Sequence, residues 1–99
     1  MSKISIQRGK RIELAIAKYL STSRNHFEAE DVRHPILSVE VKHRERLPRS
    51  IMKWMAQAEA AAEDGKVPVA VLHEERMEYG RSLVVMRLED LRDLLGNGS

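Results

Sequence analysis

Segment 37–42 is the part of this 99-residue chain that most restricts its fold. Apolar and polar residues alternate along it, in the order Leu37, Ser38, Val39, Glu40, Val41, Lys42. On a β-strand, side chains two positions apart point to the same face and stand roughly 6.6 Å apart. The alternation therefore predicts a half-buried strand over 36–43, with Glu40 and Lys42 side by side on its polar face.

This pair of side chains suits metal-assisted cleavage of a phosphodiester. A second carboxylate, Asp31, lies upstream of Glu40 with eight residues between them. Carboxylates bind hard cations such as Mg²⁺ or Mn²⁺, and a lysine can sit near the attacking water or the scissile phosphate. The alternative is an ordinary ion pair on a solvated sheet face, which the E-x-K spacing taken alone favours.

The composition excludes several classes of protein. An apolar fraction of 42% and a charged fraction of 32% are typical of one small folded domain. With four aromatic residues (one Trp, one Phe and two Tyr), a row of stacking platforms for single-stranded nucleic acid is unfavoured. The absence of cysteine excludes disulfides, thiolate zinc sites and cysteine nucleophiles, and is consistent with the cytoplasm. No apolar run reaches transmembrane length, so no membrane partner is expected.

Basic residues are concentrated in two blocks, one before the acidic candidates and one after them. A polyphosphate ligand requires such positive charge, although two ordinary solvated surfaces would look the same. The candidates for contact with a nucleic-acid backbone are Arg8, Lys10, Arg11, His43, Arg44, Arg46 and Arg49.

Hydrophobic periodicity and turn residues predict seven elements. These are a helix over 7–21, strands over 26–30 and 36–43 joined by a turn at 31–35, a helix over 51–63, strands over 67–72 and 82–86, and a helix over 88–95. Pro48 and Ser50 should start the second helix and Gly65 should stop it. The β-branched run 67–72 predicts a central strand buried on both faces. The order α-β-β-α-β-β-α indicates one α/β domain over 1–99 with a mixed sheet flanked by helices, and a loose tail at 96–99.

An opening motif joins this pattern to a known family. Arg8-Gly9-Lys10-Arg11-Ile12-Glu13 matches R/K-G-x-x-x-E, and Asp31 and Glu40-Val41-Lys42 follow in order. The chain resembles the PD-(D/E)XK nuclease superfamily over roughly residues 7–87, and within it the small archaeal and phage Holliday junction resolvases. One departure is that the family's Pro-Asp pair is replaced by Glu30-Asp31, so either residue can be the second metal ligand.

The resemblance implies a restriction-endonuclease-like core and a role for each matching residue. Asp31, Glu40 and the backbone carbonyl of Val41 would hold Mg²⁺ or Mn²⁺, with help from Glu13. Lys42 would activate water. Gln57 resembles the family's glutamine that contacts the lysine or the phosphate. Alternatives stay open: Asp31 as a turn former, Glu13 as a surface carboxylate pairing with Lys18 or Arg11, and Gln57 as an ordinary helix-surface residue.

We therefore expect a magnesium-dependent endonuclease acting on branched DNA as a homodimer, in the cytoplasm of a prokaryote or of a phage-infected cell. The rivals are a repair or non-specific nuclease of the same fold and a catalytically silent DNA-binding module. The four histidines lack zinc-ligand spacing. We interpret Trp54, Met52 and Met55 as packing residues, with helix 51–63 and the last apolar strand as the expected dimer contact.

Overall fold

The computed structural model describes residues 3–20, 34 and 36–96, with side chains from Gly9 onward. The chain divides into two compact units, Met1–Glu45 and Arg46–Ser99. The strand predicted at 26–30 and the turn around Asp31 lie outside the described residues. The seven-element order and the single domain therefore stay predictions.

In the first unit, helix α1 spans Lys3–Leu20, which confirms the predicted helix and begins it earlier. The helical spacing of Ile12, Ile16, Tyr19 and Leu20 predicts one apolar stripe, and it faces inward except at Tyr19, which is 37% exposed. Leu20 is buried, Ile12 and Ile16 are half-buried, and Ala17 is buried beside them. Glu13 is exposed at the margin of this stripe.

Segment 36–45 follows, and the predicted continuous strand over 36–43 is not found there. A single β-bridge residue, Ser38, is assigned, and the remainder is irregular. The backbone N–H of Ile36 donates to His34 Nδ1 at 3.1 Å, a local contact that turns the chain into the segment. The predicted alternation is nevertheless present, because Leu37, Val39 and Val41 are half-buried while the residues between them are exposed.

The second unit opens with helix α2, Arg49–Ala61. Pro48, which the sequence predicts to start the helix through its fixed φ, is the N-cap residue, whereas no side chain caps the helix, so the predicted capping by Ser50 is wrong. Met55 is 2% exposed and anchors the buried face. The helix ends before Gly65, which instead adopts φ +82° in the turn closed by Lys66 N–H and Glu63 O at 3.0 Å.

Two short strands form an antiparallel pair in this unit. Strand β1 is Ala70–Leu72 and β2 is Leu83–Val85, with Val71 opposite Val84. A turn with Arg76 at φ 71° and a 3₁₀ turn at Tyr79–Arg81 connect them. Helix α3, Leu88–Gly96, follows β2 as predicted, and it includes Gly96, which had been assigned to the loose tail.

The prediction that 67–72 is a central strand buried on both faces is wrong. Val71 is 63% exposed and its cross-strand partner Val84 is 57% exposed. Ala70, Leu72 and Val85 are half-buried on the opposite face, and α2 packs against β1. The strand is thus covered on one face, and its apolar composition does not reflect double burial.

A bidentate ion pair joins α2 to the start of α3. Arg87 Nε donates to Glu59 Oε2 at 2.8 Å, and Arg87 Nη2 donates to Glu59 Oε1 at 3.1 Å. The pair spans 28 residues of sequence. Hydrogen bonds from Arg87 lower the pKa of Glu59, and the same contact raises the pKa of Arg87.

The described part of the chain is a small α/β protein with three helices and a two-stranded antiparallel sheet. No helix among the described residues is long and apolar enough to cross a membrane.

Replacing Glu59 with Gln should lower the melting temperature at neutral pH, because the amide cannot form the charged bidentate contact with Arg87. The lowered pKa of Glu59 determines how the stabilisation by this ion pair depends on pH. The stabilisation should be fully present above the unfolded-state pKa of glutamate, about 4.3, and be lost as pH falls through the lower folded-state value. Calorimetric melting across a pH series checks this. Glu63→Gln, which removes an exposed carboxylate just after α2, is the matched control. A difference between Glu59→Gln and wild type that persists in acid would contradict the assignment.

Candidate active site

Glu40 and Lys42 lie next to each other on the exposed side of segment 36–45. Lys42 Nζ is 2.9 Å from Glu40 Oε2, and the two side chains are 69% and 76% exposed, respectively. Because an exposed ion pair contributes at most about 1 kcal/mol to stability, the fold does not depend on this contact. Acid and amine are both open to a ligand.

The contact arises from the extended backbone of the segment. In an extended chain the side chains of residues i and i+2 share a side, and Val41 between them turns the other way, where it is half-buried. The predicted juxtaposition of Glu40 and Lys42 is therefore confirmed, although it occurs in an irregular segment. The geometry alone also fits the simpler interpretation of a solvated ion pair.

The predicted metal ligands are only partly within the described residues. Glu13 is exposed on α1 and Glu40 is exposed on its segment, whereas Asp31 and its neighbour Glu30 lie outside. Within the described part of the chain, no three or more His, Cys, Asp or Glu side chains are grouped so that they could hold a metal ion. The set of Glu13, Asp31, Glu40 and the Val41 carbonyl thus stays a prediction.

Most of the predicted phosphate-binding residues are exposed side chains. Arg44 Nη1 donates to the carbonyl of His43 at 2.9 Å, and Arg49 donates to the carbonyl of Leu47 through Nε at 3.2 Å and Nη2 at 2.9 Å. Arg49 thus also holds the turn that leads into α2. Arg8 lies in α1, with its side chain outside the description, and the exposed members are Lys10, Arg11, His43, Arg44, Arg46 and Arg49.

Gln57 is exposed on α2, where it lines an open cavity of about 410 Å³ within the second unit. Trp54 lines the same cavity and is 43% exposed, so the prediction that it is a packing residue is wrong. Met55, by contrast, is buried as predicted. The spacing of Trp54, Gln57 and Ala58 is a signal that could have revealed the cavity wall, because residues i, i+3 and i+4 share a helix face.

Comparisons of the chain with protein-family models, with curated proteins and with solved structures found no match.

Proposed function

We propose that this protein is a metal-dependent endonuclease that cleaves branched DNA. The observation that carries the proposal is the exposed pair of Glu40 and Lys42, 2.9 Å apart on one side of an extended segment. An exposed carboxylate beside an exposed ammonium supports the proposal, because a metal-bound phosphodiester could contact both groups. The resemblance of the Glu13, Asp31 and Glu40-Val41-Lys42 pattern to the PD-(D/E)XK superfamily supports the same reaction.

The donor chemistry at Glu40 fits a hard divalent cation. Carboxylate oxygens are preferred ligands of Mg²⁺ and Mn²⁺. Lys42 contacts Oε2, and the exposure of the side chain lets a cation approach Oε1. Glu40, Asp31 and the Val41 carbonyl would hold the ion, with Glu13 beside them. When bound, the ion supplies positive charge that stabilises the phosphate oxygens while the ester bond breaks.

Each of the remaining side chains has its own role in hydrolysis. As an ammonium, Lys42 orients the attacking water and offsets the negative charge that develops on the phosphate, while the water loses its proton to the solvent. In-line attack leaves a 5′-phosphate and a 3′-hydroxyl. Arg44, Arg46 and their basic neighbours hold the DNA backbone without reading its sequence.

The finer architecture that we propose is the restriction-endonuclease-like core, with a mixed sheet flanked by helices. It requires segment 36–43 to act as a sheet strand, and the alternating burial of its residues supports this. A catalytically silent DNA-binding module is the second candidate. What favours it is that Glu40 already has Lys42 as a partner, as an ordinary surface ion pair would.

DNA cleavage should require a divalent cation, and Glu40→Gln or Lys42→Ala should lower the rate at least ~100-fold. Both residues are exposed, so the free energy of unfolding should change by less than about 0.5 kcal/mol. Gel assays with Mg²⁺ or with EDTA, alongside urea unfolding, measure both quantities. Glu45→Gln, an exposed carboxylate in the same segment, should cleave like the wild type. Full activity in EDTA would refute the metal site, and the absence of cleavage under every condition would favour the silent module.

We also propose a homodimer, because resolving a junction takes two symmetric cuts and each chain supplies one site. Strand β2 supports this, since Val84 is 57% exposed on the face of the sheet that α2 does not cover. Met55 is buried and cannot supply contact surface, which corrects the contact expected from the sequence. The exposed sheet face at Val84 takes its place.

Light scattering at tens of micromolar should give twice the chain mass, and Val84→Lys should give a monomer because it puts a charge into the apolar contact. Leu94→Lys is the matched control, since Leu94 is a 64% exposed leucine on α3. A monomeric wild type, or equal dissociation by both variants, would contradict this interface.

Binding should be tighter to a four-way junction than to a duplex of the same sequence, because two basic surfaces can contact several backbones at once. Affinity should fall with salt through counterion release. Replacing Arg44 and Arg46 with Gln together should reduce the salt slope by about 2, roughly 1 for each phosphate contact. The same change at Lys66 and Arg81, which are exposed elsewhere, is the control. Equal affinity for both DNAs across the salt series would leave a nuclease without junction preference.

A further inference from the structure

The cavity of the second unit has two walls of different chemistry. Helix α2 forms one wall, and β1 with the residue after it forms the other. The volume of about 410 Å³ falls in the range of small-ligand sites. The lining residues are Trp54, Gln57, Ala58, Ala70, Val71, Leu72 and His73.

The helical wall presents an aromatic ring beside open space. Trp54, Gln57 and Ala58 lie on one helix face. Trp54 is 43% exposed, and the small side chain of Ala58 lines the cavity with it. An indole that is not covered by the protein itself offers a surface on which a flat ring can stack.

The opposite wall contributes a fixed imidazole. His73 Nε2 lies 2.8 Å from the carbonyl oxygen of Met77, and the His73 ring packs against Tyr79 at 5.4 Å and a 45° tilt. Because a carbonyl can only accept, Nε2 is the donor in this hydrogen bond. The two contacts thus hold the orientation of the imidazole in this wall.

The lining selects a flat, uncharged ring with a polar edge. It contains one large aromatic face, one amide that both donates and accepts, one imidazole and otherwise apolar surface. None of the described residues that line it is an Asp, Glu, Lys or Arg. An amide pairs well with the edge of adenine, and a base stacks on tryptophan regardless of its sequence.

We propose that this cavity binds a single unstacked nucleobase, which stacks on Trp54 while Gln57 contacts its edge. The inference rests on the proposed function, because the base would come from the DNA substrate. It would be a base that is unpaired where the strands separate at a branch. One aromatic residue holds one base, so the small number of aromatic residues is no obstacle. Gln57 then acts on a base, an alternative to its predicted contact with Lys42 or phosphate.

The chain reports occupancy of the cavity directly, because Trp54 is its sole tryptophan. A short oligodeoxyadenylate, added in EDTA so that nothing is cleaved, should quench the tryptophan emission. An abasic strand of the same length carries the same phosphates and should not quench. Equal quenching by the two strands would overturn the proposal, as would equal quenching by a phenylalanine-containing peptide, which would make the cavity a site for protein side chains.

Variants separate stacking from backbone binding. Trp54→Ala should weaken binding of the fluorescently labelled oligodeoxyadenylate by roughly 5- to 150-fold in anisotropy titrations. Trp54→Phe should retain most of the affinity, and Ala58→Met should weaken binding by filling the cavity while keeping the indole. Wild-type affinity in both Trp54→Ala and Ala58→Met would overturn the proposal. Ala58→Met also provides the test if Trp54→Ala does not fold.

The result is distinguishable from a failure of the proposed function. Quenching by bases needs no metal and no cleavage, so it can hold when Glu40→Gln and wild type are equally inactive. If cleavage follows Glu40 and Lys42 but the base-bearing strand does not quench, the nuclease proposal stands and the base site falls.

Discussion

The two-residue period of an extended chain governs both halves of this protein. In segment 36–45 it turns Leu37, Val39 and Val41 inward and places Glu40 beside Lys42 at 2.9 Å. In the sheet it puts Val71 and Val84 on one face and Ala70 on the other. The candidate active site and the apolar sheet face are therefore consequences of the same backbone geometry.

Helix α2 contacts several parts of the second unit through different side chains. Met55 points into the core, and Glu59, one turn later, reaches Arg87 at the start of α3. Trp54 and Gln57 line the cavity against β1. The helix is thus held by its packing against β1 and by the ion pair between Glu59 and Arg87, which lie 28 positions apart in the sequence. Its cavity-lining face remains accessible.

The two proposals assign different functions to the two sites. The exposed pair in the first unit would carry the chemistry, and the uncharged cavity in the second would recognise an unpaired base. Electrostatic contacts to phosphate are insensitive to sequence and to base pairing, whereas stacking requires a base that has left its helix. Under the proposed function, the basic residues would hold the phosphates and the cavity would take up a base at the branch.

The sequence alone determined the helices and the local juxtaposition of charges, because both follow from short-range periodicity. The start of α2 beside Pro48 and the neighbouring Glu40 and Lys42 were predictable from residues within a few positions of each other. Long-range packing decided the rest. The β-branched run 67–72 reads as a doubly buried strand, yet Val71 is 63% exposed, because burial depends on which elements cover a strand. The sequence predicts Trp54 to be a packing residue. In the structure it lines a cavity together with Ala58 and residues of β1. The hydrophobicity of a side chain indicates that its burial would stabilise the fold. Only the tertiary structure decides whether another element is there to bury it.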